Sequence, residues 1–291
     1  MIKKGIILAG GRGTRLSPAT KSTNKQLLPL YDKPLFFYPL SVLMLAGIRK
    51  ILIITNPKQD TNFKNSIGNG SHLGIEVKYI EQKKPSGIPE AFKLGKKFIL
   101  NDNVALILGD NFFYGQSLTK LLEFSKNFKK GCTIFLKTVN KPENYGVAQI
   151  KNNQIKKILE KPKNKISNEA ITGLYFFDNQ VSKLCLKLKP SKRGETEIVD
   201  LINLYKNKKL LNYLKIGRGA IWSDVGKIDD YTNISNYIAS VEKVQNIKIA
   251  CLEEISLKNK WIDKKQIKKN IQFYGNCPYS EYLSRIINEK N

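Results

Sequence analysis

The sequence predicts a three-layer α/β/α protein built on a mixed, mainly parallel β-sheet. Apolar strand-like runs alternate with helix-like segments through the first half of the chain, which is the pattern of βαβ units. Some of these runs, such as Val104–Leu108, are apolar at every position. Strands of that kind are expected where helices cover both faces of a sheet.

The first half of the chain supplies the parallel part of the predicted sheet. Runs rich in Ile, Val and Leu predict strands at Gly5–Ala9, Ile51–Thr55, Ile75–Ile80, Val104–Leu108 and Thr133–Lys137. Apolar residues at helical spacing predict helices between them at Leu35–Ile48, Phe63–Ile67, Ile88–Leu100 and Leu118–Phe128.

The second half has a different organisation. Closely spaced runs predict an antiparallel insertion made of strands at Tyr145–Ile150, Ile155–Glu160 and Ala170–Phe177. The elements predicted next are helices at Val181–Leu188, Glu197–Lys206 and Ile228–Ser240 and a strand at Leu210–Leu214. From Val241 the pattern is helical and lysine-rich, with a turn-rich break at Tyr274–Tyr279. We expect an α/β core over residues 1–240 and a helical extension over residues 241–291 that packs on the core.

Composition and charge limit the classes of partner. The chain has 291 residues, of which 41% are hydrophobic and 25% charged, as in ordinary globular proteins. Its 50 Lys and Arg residues against 24 Asp and Glu give a formal net charge of +26. Six of the basic residues are arginine, whereas proteins that read nucleic acids rely on arginine forks. We therefore interpret the excess as a bias toward surface lysines and expect no nucleic-acid partner; a polyanion-binding face is the alternative.

Several chemistries and locations are disfavoured by what the chain contains. Its one histidine, His72, argues against serine and cysteine triads and against histidine-rich metal sites. Its four cysteines include no CxxC pair, which argues against a zinc site and favours a reducing compartment. The apolar run Ile6–Ala9 is shorter than the about 7–15 residues of a secretory signal. Leu35–Ile48 is shorter than the about 20 residues of a spanning helix, so we expect a soluble cytoplasmic protein without a membrane partner.

A glycine-rich run follows the first predicted strand. Residues Gly10–Leu16 read Gly-Gly-Arg-Gly-Thr-Arg-Leu, and glycines allow backbone N–H groups to approach an anion closely. Arg15 adds a permanent positive fork for phosphate, and Lys25 stands ten residues further on. The run lacks the Gly-Lys-Ser/Thr of a Walker A loop and the last glycine of the dinucleotide fingerprint. A simple glycine turn is the alternative interpretation.

A second signal is an aspartate at the end of a buried strand. Asp110 follows Val104–Leu108, and the carboxyl ends of parallel strands are where open α/β sheets bind ligands. A carboxylate there can hold Mg²⁺ beside phosphates, although it can also cap the following turn. Asp224 is a possible second ligand, and the neighbouring Trp222 could supply an apolar face for a sugar or a base.

Taken together, the motifs resemble those of the sugar-1-phosphate nucleotidyltransferases, and more narrowly of the glucose-1-phosphate thymidylyltransferases. The resemblance extends from about residue 2 to about residue 285, which is nearly the whole chain. The segments that carry it are Gly10–Leu16, Lys25–Pro29, Tyr31–Pro34, Leu43–Arg49, Leu108–Gly115, Glu160–Pro162, Thr172–Phe176 and Arg193–Glu195.

This resemblance implies a fold, a reaction and partners. The fold is the Rossmann-like α/β/α fold of nucleotide-diphospho-sugar transferases, with an antiparallel sugar-binding insertion and a helical C-terminal extension. The reaction joins dTTP to α-D-glucose 1-phosphate with Mg²⁺, giving dTDP-glucose and pyrophosphate for dTDP-rhamnose-type sugar synthesis. No covalent intermediate is needed. The family also implies a homotetramer and feedback by a dTDP-sugar at a second site.

The resemblance further implies roles for individual residues. It assigns catalysis to Arg15, Lys25 and Asp110, and Mg²⁺ binding to Asp110 and Asp224. The implied nucleotide site consists of Gly10, Gly11, Gly13, Thr14, Arg15, Lys25, Gln26, Gln82, Gly87 and Ile88. The implied sugar phosphate site consists of Asn111, Gly146, Glu160, Lys161, Ile171, Thr172, Arg193 and Trp222.

Some positions depart from the family pattern. Lys83 and Lys84 stand where Pro-Ser is usual, Pro89 and Glu90 replace Ala-Gln, and Asn24 replaces a serine. The first four lie beside the implied base-binding residues. These departures leave the choice of base open, so the first alternative is a nucleotidyltransferase for another base, such as UTP or CTP, or for another sugar 1-phosphate. Two alternatives of other classes are a non-catalytic regulatory homologue and a basic nucleic-acid-binding protein.

Overall fold

The structure is a computed structural model that describes residues 1–11 and 13–289; Arg12, Lys290 and Asn291 lie outside it. Its strands in chain order are β1 (Ile2–Ala9), β2 (Pro29–Leu30), β3 (Lys33–Pro34), β4 (Lys50–Thr55), β5 (Glu76–Glu81), β6 (Asn103–Leu108), β7 (Phe112–Gly115), β8 (Cys132–Thr138), β9 (Gly146–Lys151), β10 (Gln154–Glu160), β11 (Glu169–Phe177), β12 (Leu211–Lys215) and β13 (Ala220–Ser223). Its α-helices are α1 (Phe37–Leu45), α2 (Asp60–Ile67), α3 (Glu90–Leu94), α4 (Lys96–Ile99), α5 (Gln116–Leu122), α6 (Phe124–Asn127), α7 (Val181–Leu184), α8 (Ile198–Asn207), α9 (Ile228–Gln245), α10 (Leu252–Lys258), α11 (Lys264–Tyr274) and α12 (Pro278–Asn288).

One large sheet joins most of the strands. Its order is β12-β8-β11-β6-β1-β4-β5, and the β9-β10 hairpin attaches to the first part of β11. The pairs β1/β4, β1/β6, β4/β5 and β8/β12 are parallel. Strands β10 and β11 run against the common direction, because β11 pairs antiparallel with β6, β8 and β9. The predicted mixed, mainly parallel sheet with an antiparallel insertion is confirmed.

Both faces of this sheet are covered. Along β1 and β4, Ile7 and Ile53 point into a core shared with α1 and α10. The alternate residues Ile6 and Leu52 point into a second core, shared with α3 and α8. Successive residues of a strand face opposite sides, so fully apolar strands need helices on both sides. The predicted three-layer arrangement is therefore confirmed. Its basis, that the fully apolar strands are covered by helices on both faces, is confirmed as well.

Two predicted helices are interrupted. The segment Ile88–Leu100 forms two short helices, α3 and α4, which meet at Gly95. A Cβ at Gly95 would lie 2.9 Å from the Ala91 carbonyl oxygen and 3.1 Å from the Ile6 side chain. The break therefore lies where the helical segment presses closely on β1, a contact that helical periodicity cannot reveal. The segment Leu118–Phe128 is likewise divided into α5 and α6 at Glu123.

Two short strands that the sequence pattern does not predict position the site. Strand β7 follows Asp110 and Asn111, and β13 directly precedes Asp224. The two strands pair antiparallel, with Ser223 opposite Phe112. One residue further along this register, Asp224 reaches the neighbourhood of Asn111. Strands of four residues are too short to show a clear alternation, which is why the sequence predicts neither.

The C-terminal part of the chain is helical, as expected. Helix α9 continues without a break from residue 228 to residue 245. The expected boundary between core and extension, at residue 240, therefore lies inside a helix. Helix α10 adds Leu252 and Ile255 to the core that contains α1, whereas α11 and α12 form a separate apolar cluster around Ile267 and Leu283. Within the described residues, no helix is both long enough and apolar enough to cross a membrane.

Candidate active site

The glycine-rich run forms one wall of a cavity of about 220 Å³. This cavity lies beyond the carboxyl ends of β1 and β6, where open α/β sheets bind ligands. The structure brings the predicted phosphate-binding residues together there. The residues that line it are Gly10, Gly11, Gly13, Thr14, Arg15, Leu16, Lys25, Gln26, Asp110 and Gly226.

Lys25 is held in place by its neighbour. The Asn24 amide group donates to the Ala9 carbonyl oxygen at 3.1 Å, and its Oδ1 accepts from the Gln26 backbone N–H at 2.9 Å. Asn24 thus ties the Lys25 segment to the end of β1. Lys25 is 6% exposed, and its Nζ donates to Asp110 Oδ2 at 2.7 Å. A buried ammonium group therefore stands at a defined position beside the strand-end carboxylate.

The glycine loop is braced from the neighbouring strand. Asn56 directly follows β4, and its side chain accepts from the Gly11 N–H at 3.0 Å and donates to the Gly11 carbonyl at 2.8 Å. The Gly11 amide is therefore used within the protein and does not point free into the cavity. Gly10 lies against Gln82, since a Cβ there would lie 2.6 Å from Gln82 Oε1. Sequence reasoning missed Asn56, although a polar residue after a buried parallel strand is a usable signal.

A second cavity, of about 230 Å³, lies beside the first. Gly87 and Ile88, which the resemblance assigns to the nucleotide, line this cavity together with the residues assigned to the sugar phosphate. Asp224 and Tyr145 also line it. The predicted sugar phosphate residues that the structure brings together here are Asn111, Gly146, Glu160, Lys161, Ile171, Thr172, Arg193 and Trp222.

The two predicted metal ligands lie at the junction of the cavities. Asp110 lines the first and Asp224 the second. The pKa of Asp224 is raised, first by burial and then by the negative charge of Asp110, while Lys25 and Arg15 act in the opposite direction. Val225, which follows Asp224, is buried with a φ of 35°, a strained conformation for a β-branched residue. The backbone at this carboxylate is thus strongly constrained.

Across the second cavity, Arg193 is paired with two carboxylates. Its Nη2 donates to Glu197 Oε2 at 2.7 Å and to Glu160 Oε1 at 3.5 Å. Burial and the charge of Glu197 raise the pKa of Glu160, and Lys161 and Arg193 oppose this shift. Glu197 was not predicted. Arg193 and Glu197 both precede α8, which begins at Ile198, so the rule for residues four apart on a helix does not identify this pair.

An aromatic pair closes one side of this cavity. The rings of Trp222 and Tyr145 lie 5.0 Å apart and are tilted by 59°. Trp222 Nε1 donates to Asn111 Oδ1 at 2.6 Å. Burial and the nearby Asp224 raise the pKa of Tyr145 to about 12, so its hydroxyl is protonated at neutral pH. Tyr145 is a further cavity residue that sequence reasoning did not identify.

A family model described as nucleotidyl transferase matches residues 4–241. The chain belongs to the nucleotidyl transferase family. Curated relatives cover almost its full length. A glucose-1-phosphate thymidylyltransferase of Neisseria meningitidis serogroup A is 45% identical over 98% of this chain and 99% of its own. One from Mycobacterium tuberculosis is 39% identical over 99% of this chain and 100% of its own.

Two solved structures have a similar fold. A Bacillus anthracis protein described as a glucose-1-phosphate thymidylyltransferase, solved with sucrose bound, matches with a TM-score of 0.75 and 38% identity. The match covers 81% of this chain and 94% of that one. A UDP-glucose pyrophosphorylase solved with UDP-glucose matches with a TM-score of 0.72 and 25% identity, over 82% and 99% of the two chains.

Each cavity of this nucleotidyl transferase family member contains one buried polar atom without a hydrogen-bond partner among the described residues. They are Gln26 Oε1 in the first cavity and Thr172 Oγ1 in the second. Buried polar atoms are nearly always paired in native proteins, so an unpaired one in a cavity indicates a place where a ligand or a water binds. Both residues were predicted to contact substrates.

Proposed function

We propose that this protein transfers the thymidylyl group of dTTP to α-D-glucose 1-phosphate, giving dTDP-glucose and pyrophosphate. The main observation in support is that two cavities, each with cationic side chains in its lining, meet at Asp110 and Asp224. Arg15 and Lys25 line one cavity, and Lys161 and Arg193 line the other. Two phosphorylated substrates can therefore meet at one carboxylate pair. The relatives named above carry the same activity in their names.

The chemistry requires positioning more than proton transfer. A phosphate oxygen of glucose 1-phosphate attacks the α-phosphorus of dTTP and forms a new P–O bond. The bond from the α-phosphorus to its bridging oxygen breaks, and pyrophosphate leaves with the electron pair. The attacking oxygen is already ionised, so no general base is needed. Arg15 and Lys25 stabilise the charge that develops on the triphosphate. Lys161 and Arg193 hold the sugar phosphate in place although the negatively charged triphosphate repels it.

The residues present fit a bound Mg²⁺. Burial and the nearby Asp110 carboxylate both raise the pKa of Asp224, and a divalent cation between the two carboxylates would relieve their repulsion. Mg²⁺ usually keeps several waters and takes phosphate oxygens as further ligands, so one or two protein carboxylates are enough to hold it. When bound, Mg²⁺ supplies charge neutralisation at the reacting phosphates.

Substrate selection follows from the remaining residues. By the family resemblance, Gln82, which lies against Gly10 of the glycine loop, reads the thymine edge together with Gly87, and Ile88 packs on the base. In the second cavity, Glu160 accepts hydrogen bonds from sugar hydroxyls. Thr172 Oγ1, which has no partner among the described residues, supplies a further contact there.

An initial-rate panel tests the proposed reaction. dTTP, UTP, CTP and GTP are each combined with several sugar 1-phosphates, with and without Mg²⁺, and pyrophosphate release is measured. We expect the highest kcat/KM for dTTP with glucose 1-phosphate, and no turnover without the metal. A preference for UTP or CTP would establish the alternative base, and no turnover with any pair would favour the regulatory homologue.

The catalytic assignments are tested by neutral replacements. Lys25→Met and Asp110→Asn should each lower kcat by about 10²–10³-fold, because each removes a preorganised charge at the reacting phosphates. The matched control is Lys126→Met, an exposed lysine outside both cavities, which should keep the unaltered rate. Near-normal turnover by Asp110→Asn would contradict the proposed metal site.

We further propose a cytoplasmic homotetramer that serves dTDP-rhamnose-type sugar synthesis and is inhibited by a dTDP-sugar at a second site. The family resemblance supports this proposal. Light scattering of the purified protein would give the oligomeric state. Inhibition by dTDP-rhamnose that excess dTTP does not overcome would support the second site, and purely competitive inhibition would argue against it.

A further inference from the structure

We infer that Asn111 is a positioning residue that orients the Asp110 carboxylate, and that Trp222 in turn determines the orientation of the Asn111 amide. The inference deepens the proposed function and rests on it, since it assumes that Asp110 takes part in metal binding. It concerns how the carboxylate is held and is separate from any contact of these residues with the sugar. Four observations carry it.

The first observation is that both oxygens of Asp110 are engaged. Asn111 Nδ2 donates to Oδ1 at 3.0 Å, and Lys25 Nζ donates to Oδ2 at 2.7 Å. The terminal torsion of an aspartate is broad, so an unrestrained carboxylate samples many orientations. An ammonium group acts as a rotatable point charge and restrains direction weakly. The planar Asn111 amide is therefore the group that sets the angle of the carboxylate.

The second observation is that the orientation of the Asn111 amide is dictated by chemistry. Its Oδ1 accepts from Trp222 Nε1 at 2.6 Å and from the Gly173 backbone N–H at 3.1 Å. An indole N–H and a backbone N–H can donate but cannot accept. If the amide were rotated by 180°, its NH₂ group would face the two N–H donors of Trp222 and Gly173, and neither hydrogen bond could form. The amide nitrogen must therefore point toward Asp110.

The third observation is that the neighbouring backbone is shaped around this amide. Asn111 is fully buried, and Gly173 of β11 lies directly against it. A Cβ at position 173 would lie 2.5 Å from Asn111 Oδ1, 2.7 Å from Cγ and 2.9 Å from Nδ2. These distances leave no space for any side chain. Glycine at this position permits the close approach that the hydrogen bond requires.

The fourth observation is that the chain of hydrogen bonds crosses from one cavity to the other. Trp222 and Asn111 line the second cavity, whereas Asp110 lines the first. Strand pairing between β7 and β13 brings Trp222, which is far from Asn111 in sequence, to this position. The orientation of the Asp110 carboxylate thus depends on an aromatic residue in the wall of the second cavity. We expect the loss of either Asn111 or Trp222 hydrogen bonding to weaken metal binding.

The test measures Mn²⁺ affinity by electron paramagnetic resonance, in place of Mg²⁺, on the full chain with dTTP and without glucose 1-phosphate. No turnover occurs under these conditions, so the readout is binding. Asn111→Leu keeps the approximate volume of the side chain and removes its hydrogen bonds. We expect its Mn²⁺ affinity to fall by about 10–100-fold, the usual effect of removing a partner of a metal ligand.

Trp222→Phe keeps an aromatic ring against Tyr145 and removes the indole N–H alone. Its Mn²⁺ affinity should fall by about threefold to tenfold, as expected for one buried hydrogen bond. If Asn111→Leu does not fold, the Mn²⁺ affinity of Trp222→Phe tests the inference. Trp261→Phe is the matched control, because Trp261 contacts Arg49 and lines neither cavity. Its Mn²⁺ affinity should equal that of the unaltered protein.

The outcomes separate the inference from the proposed function. Unchanged Mn²⁺ affinity in Trp222→Phe, and in Asn111→Leu if it folds, overturns the inference and leaves the function standing. A raised KM for glucose 1-phosphate with unchanged Mn²⁺ affinity does the same, because it assigns Asn111 to sugar contact alone. If the unaltered protein binds no Mn²⁺ with dTTP, UTP or CTP, the metal site of the proposed function fails and the inference fails with it.

Discussion

Burial and neighbouring charges together determine the ionisation of single side chains in this site. The Arg193 guanidinium bridges the carboxylates of Glu160 and Glu197, and Lys161 follows Glu160 in the chain. Burial and the charge of Glu197 outweigh the two cations, and the pKa of Glu160 is raised above the ordinary value of 4.5. A carboxylate with a raised pKa takes up a proton earlier on acidification than an exposed glutamate.

A pH dependence follows for Glu160. As an acceptor of sugar hydroxyls it must be ionised, so the KM for glucose 1-phosphate should rise as the pH falls toward the raised pKa of Glu160. Steady-state rates between pH 5 and 8 would measure this. In Glu160→Gln the KM should be higher throughout, and the remaining pH dependence should be that of the substrate phosphate. Identical pH profiles for the two proteins would contradict the role.

At the scale of elements, two loops are joined into one unit. The loop before α3 carries Ser86 and Gly87, and the loop before α8 carries Thr196. The backbone N–H and the hydroxyl of Thr196 both donate to the Ser86 carbonyl oxygen at 2.9 Å. One loop carries predicted base contacts and the other carries Arg193, a predicted sugar phosphate contact. A displacement of one loop must therefore move the other.

Gly87→Ala tests this junction. Gly87 has a φ of +98°, and a Cβ there would lie 2.0 Å from the Thr196 carbonyl oxygen, so the loops must separate. We expect higher KM values for both substrates. Gly275→Ala is the matched control: its φ is +72°, but a Cβ would meet nothing within 4 Å. It should cost about 1 kcal/mol of stability without changing either KM. An effect of Gly87→Ala on dTTP alone would argue against coupled loops.

At the scale of the whole molecule, buried charges join the C-terminal helices to the N-terminal part of the chain. Glu242 of α9 accepts from Lys248 Nζ at 2.7 Å and from the Ile249 N–H at 2.8 Å, and it lies 3.5 Å from Lys33 Nζ in β3. The side chains of Lys33 and Glu242 are 3% and 4% exposed. Lys248 also pairs with Asp32 at 2.6 Å. These contacts connect segments more than 200 residues apart.

Glu242→Gln should therefore destabilise the fold. The substitution removes the negative charge that Lys33 and Lys248 share. Breaking a buried ion pair in this way lowers the free energy of unfolding by about 3–5 kcal/mol. Urea denaturation measures the free energy of unfolding. The control Glu76→Gln makes the same chemical change in an exposed pair with Lys78 and should cost at most about 1 kcal/mol. Equal effects of the two substitutions would mean that the buried network contributes no specific stability.

Sequence reasoning could predict what depends on residues close together in the chain. The order of strands and helices follows from local apolar periodicity, and most of these elements lie within a few residues of their predicted positions. The glycine run after β1 and the aspartate after β6 could be assigned to one edge of the sheet for the same reason, because the carboxyl ends of parallel strands share that edge. The family motifs added the residues of the second cavity.

The tertiary structure decided what depends on strand register and side-chain packing. The β7/β13 pairing brings Asp224 toward Asp110 and lets Trp222 reach Asn111. The bracing of Gly11 by Asn56 and the charge network at Glu242 likewise join distant segments. Each of these hydrogen bonds requires a donor and an acceptor from distant segments to lie about 3 Å apart. No local sequence pattern specifies that distance. By itself the sequence determined the elements and the chemical groups of the site; long-range packing decided which groups meet and how each is oriented.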